Sequence, residues 1–446
     1  MRNTTAALTL LACCALYGTT VAQEKEPAPG EPKPPKARHY SYIYDMLDHS
    51  LLRPATRVLD LPLLARKITS NRREAYNVDE NDQVRLPSTW WQPRIGFRPV
   101  TVEQMLAGPG TGKGPAPGRW TVKSAKTQGV TPGFNIKDSK GDRFVIKFDP
   151  PNNPELGSAA DVIGSYLFWA AGYNVPDNAV AIFHPDSVDI DPEAKFKDQA
   201  GKEKPFTHEM LNAMYKLGAR RPDGTIRVIT SRFLKGKPLG PYEYHGRRKD
   251  DPEDLIPHEL RRELRGLWTL CAWTNHADSR GPNSLDMWVE DGGRSFVRHH
   301  LIDFSSTLGA ASIGPRSPVT GTEYYLDYNV MARQTLSLGL IPFDWEAGVD
   351  PRIPSVGTVE AAQFDPDDWR PDYPNSAFDE RTERDIRWGA RILAGFTDEH
   401  IKAAVAAARY SSPQAADYIT QVLIQRRDKL LKRWLDPNDR ATKAAR

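Results

Sequence analysis

The sequence predicts a two-lobed α+β fold: a small antiparallel-sheet lobe, a larger mainly helical lobe and an N-terminal extension. Three observations predict it. Strand-like runs follow one another between residues 120 and 148. A Gly/Pro-rich stretch, KGKPLGP from Lys235 to Pro241, closes that region like a hinge. From about Pro257 to the C-terminus helical periodicity predominates. With 446 residues the chain can bury a large core in two or three packed units. Charged residues make up 26% and the formal balance is +3, without a basic block, so composition gives nucleic-acid binding no support.

The first element is a targeting segment. Arg2 begins it, AALTLLACCAL from Ala6 to Leu16 is apolar but too short to span a bilayer, and Thr20-Val21-Ala22 offers small residues for cleavage. It reads as a secretory signal cut near Ala22, giving a periplasmic or extracellular protein. A lipoprotein anchored at Cys13 is the alternative, but it leaves a very short apolar region. Cys271 alone survives cleavage, which rules out an internal disulfide. No later run is long and apolar enough to be a transmembrane segment of the mature chain. Residues 23–38 are rich in Pro and charge and form a tether that cannot fold alone.

Residues 39–119 make up the N-terminal extension, with Trp90-Trp91 and, near its end, GPGTGKG from Gly108 to Gly114. That stretch imitates a phosphate-binding P-loop, but Ala107 stands at the first Gly position and Gly114 at the hydroxyl position. Pro109, Pro115 and Pro117 prevent the helix that a P-loop must open. It is a linker.

Residues 120–234 form the small lobe. Trp120 to Lys126 alternates as a strand; Phe134 to Lys137 and Arg143 to Phe148 follow, joined by the turn Asp138-Ser139-Lys140-Gly141. The Gly-bearing GVTPG lies between the first two, an arrangement that lays backbone over a nucleotide. Ser158 to Ala171 is a helix with Val162, Tyr166 and Trp169 on one stripe, closed by Gly172. Ala179 to His184 and Ile226 to Leu234 are further strands, and 185–224 is an insertion with one helix. In the large lobe, 235–446, a helix over Pro257–Trp273 precedes Asp278 and, five residues on, Asn283. Ser284 to Glu290 and Ser295 to Ile302 form a hairpin about Asp291-Gly292-Gly293, ending at Asp303-Phe304. Thr397 caps one late helix and Pro413 opens another, running to Leu435.

This scaffold delivers an Asp and an Asn on a loop and swings a second Asp back toward them. Phosphoryl transfer needs such a set: one carboxylate to orient the attacking hydroxyl and accept its proton, an amide oxygen and a second carboxylate to hold Mg²⁺. Lys147, on the third strand, is placed to clamp nucleotide phosphates, and Asp161 on the next helix to steady it.

On these residues the chain resembles the protein-kinase-like superfamily, in its atypical bacterial branches: persister-toxin kinases, spore-coat kinases and phosphatidylinositol-kinase relatives. The resemblance covers roughly residues 120–310. It implies ATP and Mg²⁺ as cofactors and gives Lys147 the place of the strand-three lysine. His276 and Asp278 resemble the catalytic-loop His and Asp, Asn283 the metal-binding Asn, and Asp303 the Asp that opens the DFG motif. Gly129 and Gly133 stand for the glycine-rich loop. GVTPGF, FDPPNNPE, AAGYNVP, WTNHAD and LIDFSSTLG also resemble a family of exported bacterial proteins. The departures are a loop without Gly-x-Gly-x-x-Gly, an Asp161 one methylene shorter than the usual Glu, and Asp303-Phe304-Ser305 in place of DFG.

Other readings attach to single residues. His276 serves either in acid–base work or as a brace of its loop. His299 and His300 lie on opposite faces of a strand, against a zinc site. Arg247, Arg248, Arg261, Arg262 and Arg265 either greet phosphate or form a solvated helix face. Trp90, Trp91, Trp120, Tyr324 and Tyr325 suit a carbohydrate-binding face. The leading expectation is an exported kinase-like phosphotransferase using MgATP on a hydroxyl acceptor of unknown kind (protein, sugar or lipid). The alternatives are an inactive kinase-like nucleotide-binding or scaffold protein, and a carbohydrate-binding envelope protein.

Overall fold

The computed structural model describes residues 32–38, 72–126, 131–197, 202–347 and 351–437, with short stretches between 44 and 66. The signal segment, residues 23–31 of the tether and Gly129 lie outside the described residues. The architecture is α+β, with a sheet lobe and a helical lobe.

In the sheet lobe, β1 (Trp120–Ala125), β2 (Gly133–Lys137) and β3 (Arg143–Phe148) pair antiparallel in sequence order. Alternation puts Val122, Phe134, Ile136, Phe144 and Ile146 into one core. The carboxylate of Asp138 accepts from the amides of Lys140 and Asp142, both at 2.9 Å, and so makes the β2–β3 turn. β4 (Asn178–Phe183) and β7 (Ile226–Arg232) complete the antiparallel part.

The insertion 185–224 departs from the expectation of one helix. It holds α3 (His208–Lys216), capped by Thr207, and also β5 (Val188–Lys197) and β6 (Glu203–Pro205). β5 runs parallel to β1, so the sheet has seven strands in the order β4-β7-β3-β2-β1-β5-β6. In β5 Val188, Ile190, Ala194 and Phe196 alternate with charged residues, and Pro192 interrupts the apolar set, as an edge region open to water allows.

Between the lobes lies α2 (Leu156–Ala170), buried on nearly every face. The N-terminal extension covers it. Trp91 Nε1 donates to Ala171 O at 2.8 Å, and the Arg94 guanidinium donates to Trp169 O and Tyr173 O at 2.6 and 3.0 Å. Helix α1 (Val102–Ala107), opened by a Thr101–Gln104 capping box, leads into GPGTGKG. There the amides of Thr111 and Gly112 grip a side chain of the protein itself, the carboxylate of Asp177, at 3.1 and 3.0 Å. Trp90, Trp91 and Trp120 are buried core residues, which removes them from any sugar-stacking face.

Two further segments take definite places. KGKPLGP is an edge strand, β8 (Lys237–Gly240), paired to β9 (Ser284–Asp291), which pairs in turn to β10 (Arg294–Leu301). Gly236 permits it: with φ near +100°, a Cβ there would lie 2.2 Å from Trp288 O. The end of the tether is also bonded to this region, with Arg38 N donating to Leu239 O and Lys36 N to Asp250 Oδ2.

The helical lobe is built from α4 (Arg262–Thr274), α5 (Glu383–Ala394), α6 (Asp398–Ala407) and α7 (Pro413–Leu435). A 3₁₀ turn, His258–Leu260, precedes α4, which starts five residues later than expected. Arg248, Arg262 and Arg265 are fully buried rather than solvated or free for phosphate. Arg262 and Arg265 pair with Asp385 at 2.8 and 3.4 Å, and Arg248 pairs with Asp286 at 2.9 Å. Arg261 pairs with Asp254, while Arg247 is exposed.

Candidate active site

Helix α4 ends at Asn275, whose left-handed backbone turns the chain into the loop from His276 to Asn283. The buried His276 ring packs against Phe168 of α2 and Phe304, at centroid distances of 5.6 and 5.7 Å, with Nδ1 3.3 Å from Ser306 Oγ. Burial pushes its imidazole down to about 4, so it is neutral at physiological pH. These contacts favour the brace over acid–base work for His276.

Asp278 accepts from Arg280 Nε at 2.5 Å. Burial pushes its carboxyl up, but the guanidiniums of Arg280 and Arg316 more than offset this and hold it below the usual carboxylate range. The amide of Asn283 donates to Asp278 O at 2.7 Å, which fixes its orientation and commits its NH₂. Its Oδ1 remains as the acceptor.

The hairpin brings Asp303 alongside. Ser284 and Leu301 are paired across β9–β10, and Ile302 N donates to Asn283 O at 3.0 Å, so Asn283 and Asp303 leave the same end of the hairpin. Asp303 is left-handed, with φ and ψ of 60° and 65°, a conformation that costs a non-glycine residue about 1 kcal/mol. Its Oδ1 accepts from Lys147 Nζ at 3.0 Å and Ser305 Oγ at 2.5 Å. Burial raises its affinity for a proton; Lys147, Ser305 and Lys126 outweigh that and keep it ionised well below the usual range.

Lys147 completes the cluster. From β3 its Nζ reaches Asp161 Oδ2 at 2.5 Å as well as Asp303. Burial pushes the ammonium down, and the two carboxylates more than restore it, leaving it raised. Asp161 is held in turn by Asn178 Nδ2, which donates to its Oδ1 at 2.8 Å. Burial, together with Asp303, keeps its carboxyl above the ordinary value against the pull of Lys147.

The structure therefore joins Lys147, Asp161 and Asp303 directly, with Asn283 beside Asp303 and bonded to Asp278. Of the glycine pair only Gly133 is described, and it is not joined in this way. Gly133 is a strand residue opposite Lys147, where a Cβ would lie 2.0 Å from Ile146 O, so its close strand neighbour already requires glycine. Arg280, Arg316, Asn178 and Lys126 escaped the sequence reading. Arg280, two residues after Asp278, was the one with a local signal.

Among the described residues no three His, Cys, Asp or Glu side chains converge as a metal site, and His299 is bonded to Asp286 instead. One carboxylate oxygen of Asp303 and the amide oxygen of Asn283 are what the cleft offers a cation. That sparse, all-oxygen set fits Mg²⁺, which takes one or two protein ligands and completes its shell with phosphates and water.

No family model matches the chain, and no curated protein does. Solved structures do. A proinflammatory kinase of Helicobacter pylori, CtkA, is 10% identical over 70% of this chain and 93% of its own, with a TM-score of 0.37. The Golgi casein kinase is 9% identical over 73% and 74%, with a TM-score of 0.33. The same kinase with Mn/ADP bound is 8% identical over 73% of both chains, also at 0.33. Likenesses this distant assign no activity; the geometry of the cleft has to do so.

Proposed function

We propose that this protein is a kinase-like phosphotransferase that uses MgATP to phosphorylate a hydroxyl group and that works outside the cytoplasm. The observation that carries this reading is Lys147, buried at the lobe junction between the carboxylates of Asp161 and Asp303. A lysine held by an anion from each side is fixed in position, where a phosphate oxygen can meet it without reorganisation. ATP and Mg²⁺, when bound, supply the phosphoryl group and the neutralising charge. Asp303 and the Asn283 Oδ1 would hold the cation. Asp278, kept anionic by Arg280 and Arg316, orients the acceptor hydroxyl and takes its proton. His276 keeps the loop against α2, which couples Asp278 to the helix that carries Asp161. The export half of the proposal rests on residues 2–22 alone.

The test is a melting series on the mature protein. MgATP at about 100 times its Kd should add about 2.7 kcal/mol of stability. Asp303→Asn should abolish the shift. Asp278→Asn should keep it and lose transfer of labelled phosphate to any acceptor. Absence of a shift with every nucleotide at millimolar concentration overturns the reading. Binding without transfer in the wild type leaves a nucleotide-binding protein and removes the enzyme.

A further inference from the structure

Where the connection from β1 rejoins the sheet at Pro132 and Gly133, the backbone offers a phosphate little. Pro132 has no N–H to offer, and Gly133 is drawn into the sheet against Ile146 O. Lys147, for its part, is shared between two carboxylates, so the Lys147–Asp161–Asp303 cluster carries a net negative charge when all three are ionised. A polyphosphate brought to that cluster, even with one divalent cation, needs more positive charge than Lys147 supplies.

Lys126 is placed to supply it. It directly follows β1, and its amide donates to Gly133 O at 3.0 Å, which fixes its backbone at the mouth of the cleft. Its side chain runs over the face of Gly133: a Cβ at 133 would come within 3.3 Å of Lys126 Cδ. The ammonium donates to Thr131 O at 3.0 Å. Gly133 is paired with Lys147 across β2 and β3, so the Lys126 side chain lies on the sheet face from which Lys147 projects. Thr131 is anchored across the cleft, its Oγ1 donating to Ser312 Oγ at 2.8 Å in the segment that follows Asp303. Lys126 is thus bonded to the residue that bridges the two lobes.

We infer that Lys126 is a second phosphate-binding cation of this cleft. The inference rests on the nucleotide reading of the cleft. It also gives Gly133 a second reason to lack a side chain, since any larger residue would crowd the lysine's path. An ammonium is a point charge with three donors, so it can turn toward a phosphate oxygen without losing every protein partner.

The experiment is calorimetric titration of the full mature chain with ATP, ADP and adenosine in excess Mg²⁺, for the wild type, Lys126→Met and Lys126→Arg. Loss of one charge-assisted phosphate contact should weaken ATP and ADP about tenfold or more and leave adenosine unchanged. Lys126→Arg should recover most of the loss. The melting temperature without ligand should be the same for all three proteins. If wild-type protein binds ATP and Lys126→Met binds it equally well, or if ATP and adenosine weaken together, this inference fails while the nucleotide reading stands. If the wild type binds none of the three, the nucleotide reading itself fails and takes the inference with it.

Discussion

Lys147 sits between two carboxylates, Asp161 and Asp303; Asp385 sits between two guanidiniums, Arg262 and Arg265. Both clusters join segments more than 100 residues apart, and both are built from the same charge chemistry. They differ in access. Side chains of Asp385, Arg262 and Arg265 are fully buried, whereas Asp303 keeps 35% of its side-chain surface exposed. A sealed cluster can only hold the fold, and Asp385 does so further by capping α5 through the Thr382 amide at 2.7 Å. A cluster with one anion open to solvent can take a ligand. Access, more than charge, separates a site from a strut.

The largest expected effect follows from that difference. Asp385→Asn takes the carboxylate from the buried Arg265 and leaves Arg262 with Asp82 alone, and should cost about 4 kcal/mol in denaturant unfolding. Asp303→Asn leaves Lys147 still paired with Asp161 and removes a partly solvated charge, so its cost should stay within about 1 kcal/mol. Nucleotide binding should show the reverse order, lost in Asp303→Asn and kept by whatever fraction of Asp385→Asn is folded. Equal destabilisation by the two variants would make the cleft cluster another strut.

A sharper comparison uses pH. His276 lies on the wall behind the cleft, neutral because burial lowers its pKa to about 4, against roughly 6.5 in the unfolded chain. Between those values the unfolded chain binds a proton that the folded chain refuses, so stability falls as pH falls through the window. The slope from this residue is about 1.4 kcal/mol per pH unit. Since His300 is also lowered to about 4, the wild type should show more than one proton's dependence. Unfolding free energies measured between pH 4 and 6.5 should lose one proton of slope in His276→Gln. An unchanged slope would mean that His276 titrates normally, and the acid–base role would return.

Much of this was legible in the sequence because it is local. The strands β1 to β3 show in alternation over six residues, and the β9–β10 hairpin shows in its Gly292-Gly293 turn. Lys147, Asp278, Asn283 and Asp303 are fixed by strand and turn positions near them. What stayed hidden depends on distant partners. Arg262 and Arg265 look like a solvated helix face until Asp385, some 120 residues on, packs against them. β5 alternates, but Pro192 in its middle argues against a strand, and its pairing with β1 and β6 is what makes it one. Trp90 and Trp91 show no periodicity, and their burial depends on α2 and on residues of the helical lobe. Lys126 carries no motif at all; its meaning lies in what its ammonium faces.

The smallest expected effect concerns the loop that most resembles a phosphate site. In GPGTGKG the amides of Thr111 and Gly112 are already bonded to Asp177, and a Cβ at Gly110 would lie 2.1 Å from that carboxylate. The glycines there make room for an internal anion. Lys113 is exposed, so Lys113→Ala should change stability by no more than about 0.5 kcal/mol. The MgATP shift should also be untouched, in contrast with the loss expected at Lys126. Were Lys113→Ala to abolish the nucleotide shift, the phosphates would have to lie at the N-terminal extension. The pairing of Lys147 with Asp161 and Asp303 would then be a strut that happens to touch solvent.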